Sequence, residues 1–596
     1  MEWTITVFLW TCVALLCVHV AWGLDEIARL TWACLCWASR VGGPKIQEDL
    51  TRDVHVAVLV NGDIGQSPRT LHHAEMLAKW SFRPSVSPSQ FGAESDADLD
   101  EAGATVLSKG YYEGGAISQQ GAVPRSSTRV TVFAYGDPPK SLVQTEPGMP
   151  HPQFPTQGQT SPQVTFRKIH ARTRVRRDHG SAVYFITSVL ATVSRALDLI
   201  EALWTCRPRL DALIMQNPPS IPSLLIALVF ARLRHGALVV VDWHNFGYTI
   251  LRTTRAPSLL LVLAEWYEST LAPYADAHLC VSTAMCEFLR DEWNVDATVY
   301  YDMPHCVFRP VSVEEEHDLF LRLEQEYSLP IATERGSYPV SCTLRTSCGE
   351  RNQHTTRRSD RPFLCVSSTS WTPDEDFELL FDALVELDKS LLQMSYSNTR
   401  TGETQVSNLE RSLVSPPQLL FVITGRGPLR AAFEARIARA DLRCILVVCA
   451  WLSKQDYAHL LGSADVGVCL HSSSSGLDLP MKAVDMLGAG LPVIAVDYGC
   501  ITELIVPGKS GLLVRGADEL ASTILDLMDG FPKGKKRIGS EKGFGSLQVM
   551  REWIRAKYGS LDQRADSEWC RVVAPKLNTL LDLSEDLPDP PSKFSL

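Results

Sequence analysis

The chain has 596 residues, too many for one hydrophobic core, and 45% of them are hydrophobic, which excludes wholesale disorder. Its formal net charge of −11 argues against a general nucleic-acid binder, because a phosphate backbone requires a basic surface. The 16 cysteines fit no disulfide or zinc framework: Cys365, Cys444, Cys449 and Cys469 sit inside apolar runs, and no CxxC pair has a matching His or Cys pair. A reducing compartment suits such a body.

From Thr4 to Leu24 the chain carries no Asp, Glu, Lys or Arg, long enough for one membrane-spanning helix. A cleaved signal peptide is the rival reading, with Ala21-Trp22-Gly23 as its cleavage site, but Glu2 and the absence of an N-terminal cation favour a retained anchor. Arg29, Arg40 and Lys45 follow the span and put the body in the cytosol. Residues 1–41 are read as anchor and juxtamembrane segment.

Apolar, β-branched runs then recur, each followed by a turn signal or a helical pattern. The first half has Val54–Val60, Val130–Tyr135, Leu210–Met215, Ala237–Val241, Ala277–Ser282 and Thr298–Tyr301. The second has Phe363–Ser367, Leu419–Thr424, Ile445–Cys449, Val466–Leu470, Leu491–Val496 and Gly511–Val514. Continuous apolar strands alternating with helices mean parallel sheets covered on both faces. The expected fold is α/β, with two doubly wound Rossmann-like domains facing a cleft: residues 50–330 with an insert at 84–128, and residues 362–585 with an insert at 395–417. A linker or insert spans 331–361. The three polar, aperiodic stretches read as loops or disorder.

The first strand ends in Asn61-Gly-Asp-Ile-Gly-Gln-Ser-Pro-Arg69. Gly62 and Gly65 permit close backbone approach and a helix opens near Pro68, so the turn is either an anion seat or a plain tight βα turn. The apolar segments Ala182–Trp204 and Ser223–Leu233 read as core helices, with a shallow membrane-facing surface as the alternative. Gln216-Asn-Pro-Pro219 is either a cleft-lining turn or a rigid one. Val241-Asp-Trp-His-Asn-Phe-Gly-Tyr248 gathers Asp242, His244, Asn245 and three aromatics at a strand's carboxyl end, where functional residues collect. His244 there is a general base, a phosphate partner or a structural histidine, and the aromatics are suited to stacking on sugars.

In the second half, Ser367-Ser-Thr-Ser-Trp-Thr-Pro-Asp-Glu-Asp376 offers Ser367 and Ser368 to phosphate oxygens. Thr372-Pro373 reads as N-cap and first helical residue, which makes Asp374 and Asp376 first-turn acids rather than a metal-binding D-x-D. Thr424-Gly-Arg-Gly-Pro-Leu-Arg430 brings Gly425 and a cation, Arg426 or Arg430, to a diphosphate. Trp451 can pack on a base or in the core. Finally, His471-Ser-Ser-Ser-Ser-Gly-Leu-Asp-Leu-Pro-Met-Lys-Ala-Val-Asp485 places a Ser-Gly loop before a short helix. Its hydroxyls, its N–H groups and Lys482 suit a diphosphate, and Asp485 one turn later suits a sugar or ribose hydroxyl. The alternative is a solvated spacer in a tight βαβ crossover.

Together, GDIGQSPR (62–69), QNPPSIP (216–222), DWHNFGY (242–248), SSTSWTPDEDF (367–377), ITGRGPLR (423–430), LLGSADVGVCLHSSSSGLDLPMK (460–482) and VDMLGAGLPV (484–493) are similar to the chitobiosyldiphosphodolichol beta-mannosyltransferases. The resemblance implies a GT-B fold, an N-terminal transmembrane helix and a single-pass place in the endoplasmic reticulum membrane, with a cytosolic catalytic body. It implies GDP-mannose as donor, dolichyl-diphosphate chitobiose as acceptor, no metal or other cofactor, and no nucleic-acid partner. It leaves room for other mannosyltransferases of lipid-linked oligosaccharide assembly as partners. On that footing Asp242 or His244, and then Asp63, are the candidate bases. Ser367, Ser368, Gly425, Arg426, Ser474, Ser475, Gly476, Asp478, Lys482 and Asp485 face the donor. Gly62, Gly65, Arg69, Asn245 and Tyr248 face the acceptor. Many GT-B enzymes carry Glu-x7-Glu across this last loop; here Asp485 matches the second acid, and Leu477 holds the first position with Asp478 beside it.

Overall fold

A computed structural model describes residues 53–62, 64, 67–82, 126–135, 137, 164–169, 181–254, 256–327, 329, 341–348, 354–372, 375–399, 417–532, 543–559 and 561–585. The expected membrane span at Thr4–Leu24, Asp63, Gly65 and nearly all of the insert at 84–128 lie outside the described residues. No helix among the described residues is long and apolar enough to cross a membrane. By compactness the chain divides into two units: Met1–Gln216 with Pro222–Val240 and Val573–Leu596, and Asn217–Ile221 with Val241–Val572.

The strands of the first half are β1 (Val54–Leu59), β2 (Ser81–Phe82), β3 (Ser126–Ala134), β4 (Val164–Lys168), β5 (Ala212–Asn217), β6 (Leu238–Trp243), β7 (Ala277–Cys280) and β8 (Ala297–Val299). Within the first unit β1 pairs in parallel with both β3 and β5, and β4 adds in parallel outside β3. This order, β4-β3-β1-β5, is that of a Rossmann half-sheet, in which the chain steps outward twice and then crosses to the other side of the first strand. Val56, Ala57, Val58 and Leu59 are fully buried, as expected of a central strand covered on both faces. The short β2 is antiparallel to the start of β3.

In the second unit β7 and β8 pair in parallel. Its larger sheet holds β12 (Phe363–Ser368), β13 (Leu419–Thr424), β14 (Ile445–Ala450), β15 (Val466–Cys469), β16 (Val493–Val496) and β17 (Gly511–Val514). All pairs are parallel, and the order β14-β13-β12-β15-β16-β17 is the complete doubly wound order. Side chains alternate between two cores. Leu364, Val366, Leu420 and Val422 meet Phe320, Met486 and Leu487 on one face. Phe363, Cys365, Phe421 and Ile423 meet Leu380, Leu384 and Leu387 on the other. Burying both faces is what makes these strands read as unbroken apolar runs.

Three expectations need correction. The polar stretch 331–361 is not all loop: β9 (Ser341–Cys342), β10 (Thr346–Cys348) and β11 (Thr355–Arg357) form a small antiparallel sheet. It is held by the fully buried Arg345, whose guanidinium pairs with Glu316 at 2.8 Å and Asp465 at 3.0 Å and donates to the carbonyl of Pro362 at 2.6 Å. The insert expected at 395–417 starts late, because the helix Phe377–Thr399 runs through its first residues. The segments at 182–204 and 223–233 are core helices on one side only, since Leu199 and Leu203 are buried while Leu190, Val193, Leu197, Trp204 and Leu233 are exposed. Among the described residues the cysteines form no disulfide with one another, and most are buried, as small apolar residues would be.

Candidate functional site

The loop after β15 is organised around Asp478. Its carboxylate accepts the Ser473 hydroxyl, Ser475 Oγ at 3.3 Å and Asn245 Nδ2 at 2.8 Å, with His471 Nε2 3.4 Å away. The Tyr498 hydroxyl donates to the Asp478 carbonyl at 3.0 Å. Ser473 and Ser475 therefore turn toward the chain's own acid, a departure from the expected row of hydroxyls offered to an anion. Ser474 Oγ lies 3.2 Å from Asn245 Nδ2 and 3.1 Å from Thr249 Oγ1. Gly476 takes φ 76° with nothing near a Cβ, so the turn itself, not crowding, requires glycine. Behind the loop the helix Met481–Gly488 starts with no side-chain cap.

Lys482, in the first turn of that helix, forms an ion pair with Glu375, a residue the motif reading passed over. Glu375 is 4% exposed and also accepts the Thr369 hydroxyl and the Ser370 N–H at 3.0 Å. An isolated bridge between Glu375 and His471 keeps this stretch extended. The helix consequently begins at Phe377, with Asp376 as its cap accepting Leu379 N–H at 2.9 Å, instead of at Thr372-Pro373. The loop after β12 interlocks with the loop after β13. A Cβ on Gly425, φ 141°, would lie 1.8 Å from the Thr369 carbonyl oxygen, and one on Gly427 would lie 2.1 Å from that of Ser370.

Of the two candidate cations in that second loop, Arg430 is engaged, donating to the Cys449 carbonyl at 2.7 Å and pairing with Glu434. Arg426 is exposed, its guanidinium 4.4 Å over the Trp451 ring. Ser368 Oγ and the Tyr457 hydroxyl lie 2.9 Å apart. Ser367 Oγ is buried with no hydrogen-bond partner among the described residues. Burial pushes the Asp485 carboxyl up to about 8, against the opposing pull of Lys454 and a hydrogen bond with Tyr457. At pH 7 Asp485 is mostly a neutral acid that can donate a hydrogen bond.

At the end of β6, the 1%-exposed Asp242 holds His244, with Oδ2 2.8 Å from Nε2. The His244 N–H donates to the Asn217 carbonyl at 2.8 Å, and its ring keeps about a fifth of its surface open (21%). The aromatics of this motif are not sugar platforms. Trp243 and Phe246 are fully buried and pack with Trp293 at 5.6 and 4.9 Å, and the Trp243 Nε1–H donates to His278 Nδ1 at 3.1 Å. Tyr248 is 6% exposed, and burial pushes its hydroxyl up to about 12. Asn245 turns to the Ser loop through Nδ2, while its Oδ1 accepts Phe246 N–H at 2.7 Å and the Thr249 hydroxyl at 3.1 Å. A second acid absent from the motif reading is Glu268, 1% exposed. It accepts Gly247 N–H at 2.9 Å, Tyr248 N–H at 3.3 Å and the Ser220 hydroxyl, and burial raises its pKa.

Asp242, His244, Asn245, Tyr248 and all of the expected donor-facing residues thus belong to the second unit. Gly62 and Arg69 belong to the first, where Arg69 is 5% exposed on the helix Pro68–Lys79. Gln216, also there, has its Oε1 filled by the Ser67 and Thr70 hydroxyls at 2.8 and 2.9 Å.

A Rossmann half-sheet in the first unit, a doubly wound sheet in the second and phosphate-suited loops at the carboxyl ends of strands agree with the sequence families. A family described as "Glycosyl transferase 4-like domain" matches residues 121–300, and "Glycosyl transferases group 1" matches residues 404–530. The chain is a group 1 glycosyltransferase with a GT-B fold. A chitobiosyldiphosphodolichol beta-mannosyltransferase of Mus musculus is 31% identical over 92% of this chain and 95% of its own length. One of Homo sapiens is 38% identical over 61% of this chain and 72% of its own length. The "UDP-glycosyltransferase TURAN" of Arabidopsis thaliana is 36% identical over 80% of this chain and 89% of its own length. The chain belongs to the chitobiosyldiphosphodolichol beta-mannosyltransferase family.

Proposed function

We propose that this chain is an inverting glycosyltransferase that moves mannose from GDP-mannose to dolichyl-diphosphate chitobiose in a β-1,4 bond. The observation that carries the reading is the 2.8 Å hydrogen bond from Asn245 to Asp478, which joins the motif holding His244 to the Ser-rich loop ahead of Lys482. In the proposed step the 4-hydroxyl of the outer GlcNAc attacks C1 of mannose. His244 takes its proton, and the bond from C1 to the β-phosphate oxygen breaks with one inversion through an oxocarbenium-like transition state. His244 is the accessible member of its pair, and the buried Asp242 orients it and stabilises the imidazolium that forms. Asp63 is the reserve candidate.

The departing GDP carries the new negative charge. Arg426, Lys482 and the backbone leading into the helix Met481–Gly488 are the groups suited to meet it without a metal. The neutral Asp485 carboxyl suits a donor hydroxyl, and Asp478 shapes the loop that carries Ser474, Ser475 and Gly476. We assign residues 362–585 to the donor and 50–330 to the acceptor. The assigned location is the endoplasmic reticulum membrane, with a single span at Thr4–Leu24 and a cytosolic body.

The name of the Arabidopsis relative, a UDP-glycosyltransferase, favours a second reading, a UDP-sugar donor on the same acceptor. The full chain in detergent is offered GDP-mannose, UDP-glucose or UDP-GlcNAc with a short-lipid diphospho-chitobiose. The reading expects one added hexose from GDP-mannose alone, released by β-mannosidase and resistant to α-mannosidase. Transfer from a UDP-sugar, or a product cleaved by α-mannosidase, overturns it.

A further inference from the structure

The helix Ser181–Trp204 exposes a stripe that its fold does not use. Leu190, Val193, Leu197 and Trp204 are 57%, 50%, 57% and 54% exposed. Their spacing of three, four and seven residues keeps them on one face, while Leu199 and Leu203 bury the other. The stripe does not end with this helix. The segment Ser223–Ala231 packs beside it, the Phe230 ring meets Trp204 edge-on at 6.5 Å, and Leu233 adds a further side chain at 46% exposure. Isolated exposed leucines are ordinary, but a continuous apolar face two helices wide marks an interaction surface.

The flanks say what kind of surface it meets. Arg207 is exposed three residues beyond Trp204, and the Arg234 guanidinium lies 5.9 Å over the Trp204 ring while its Nε–H donates to the Trp204 carbonyl. Arginines at one end of an aliphatic face, in a chain of net charge −11, are complementary to anionic headgroups above acyl chains. Tryptophan with arginine at one end of an apolar stripe suits the headgroup boundary. The helix is not apolar enough to cross a membrane, and Glu201, exposed among the stripe residues, keeps the contact shallow. A helical protein partner would be served by a seam one helix wide.

We propose that the face formed by Leu190, Val193, Leu197, Trp204 and Leu233, bordered at its Trp204 end by Arg207 and Arg234, lies in the interface of an anionic bilayer. This contact would be additional to any N-terminal anchor. The proposal rests on the reading that the acceptor is carried by a membrane lipid. In that role the face brings this unit to the height at which a lipid-linked diphosphate emerges from the headgroups.

The test places the photo-reactive residue p-benzoylphenylalanine at position 193, at 197, or at the control position 549, where Val549 is 62% exposed. The full chain is illuminated on vesicles of phosphatidylcholine with phosphatidylserine. Lipid-mass adducts at 193 and 197 but not at 549 are expected. Adducts of equal yield at 549, adducts to protein alone, or none at all overturn the proposal. In parallel, the triple variant Leu190→Ser, Val193→Ser, Leu197→Ser is assayed on long-chain and short-chain acceptors. The long-chain KM should rise roughly tenfold with the short-chain KM unchanged, since tenfold is about 1.4 kcal/mol of interfacial binding. Equal loss on both acceptors counts against the surface. Absence of mannosyl transfer by the unaltered chain on the short acceptor strikes the functional reading instead.

Discussion

Replacing Lys482 with Met removes the cation from the pair with Glu375 and leaves that carboxylate buried at 4% exposure. Breaking a buried ion pair by deleting one partner costs about 3–5 kcal/mol. Glu375 keeps two donors, the Thr369 hydroxyl and the Ser370 N–H, so the lower end applies, about 3 kcal/mol. Adding Glu375→Gln neutralises the stranded charge and should recover most of that loss, about 2 kcal/mol, because an amide can still accept from Ser370. Urea unfolding of the single and double variants, followed by far-ultraviolet circular dichroism, measures both steps through the transition midpoint. Donor use should behave differently. If Lys482 meets the diphosphate, the KM for GDP-mannose stays raised in the double variant although the fold has recovered. A Lys482→Met protein as stable as the wild type would falsify the buried-pair argument. Recovery of stability and donor KM together would make Lys482 a structural cation only.

Three further outcomes are expected. His244→Ala and Asp242→Ala should each lower kcat by at least about a hundredfold with little change in donor KM, the signature of a lost general base, and wild-type turnover in both would remove the assignment. Asp485 holds its proton up to about pH 8 in the fold and ionises above it, so donor use should weaken as pH rises past 8. Asp485→Asn, a permanent hydrogen-bond donor, should lose that alkaline limb, and an unchanged limb in the donor KM profile would contradict the role. Gly425→Ala forces a Cβ into the Thr369 carbonyl at a φ of 141°, and should cost more than about 3 kcal/mol or prevent soluble expression. Normal unfolding of that variant would show that the two loops are free to separate.

The parallel strands were legible because they are covered on both faces, so Phe363–Ser367 or Leu419–Thr424 carries an apolar run with no interruption. The strand Val164–Lys168 escaped notice for the converse reason: its residues are half-buried or exposed, and no run forms. Arg345 was equally silent, since its acids stand 29 and 120 residues away and its polar neighbours look like a loop. The same limit applied at the site. Local motifs exposed Asp242 and His244 because the pair is two residues apart. Glu375 lies 107 residues from Lys482, and Glu268 lies 21 from Gly247, distances at which spacing carries no signal. The aromatic residues of the 242–248 motif misled, because composition does not reveal that Trp243 and Phe246 turn inward to Trp293.

The carboxylate of Glu268 has a bearing on what the 242–248 segment can recognise. Helix starts are ready seats for phosphate, and Gly247, with no side chain to block the approach, looks like an open one. Here the seat is already taken by an internal carboxyl group whose oxygens accept both N–H groups. A phosphate approaching this turn finds the Gly247 and Tyr248 N–H groups already engaged. If His244 takes the acceptor proton as proposed, discrimination at the turn falls to neutral hydroxyl chemistry, and the diphosphate of a lipid-linked sugar is to be met by other residues. On that proposal the segment would read the sugar and not its diphosphate.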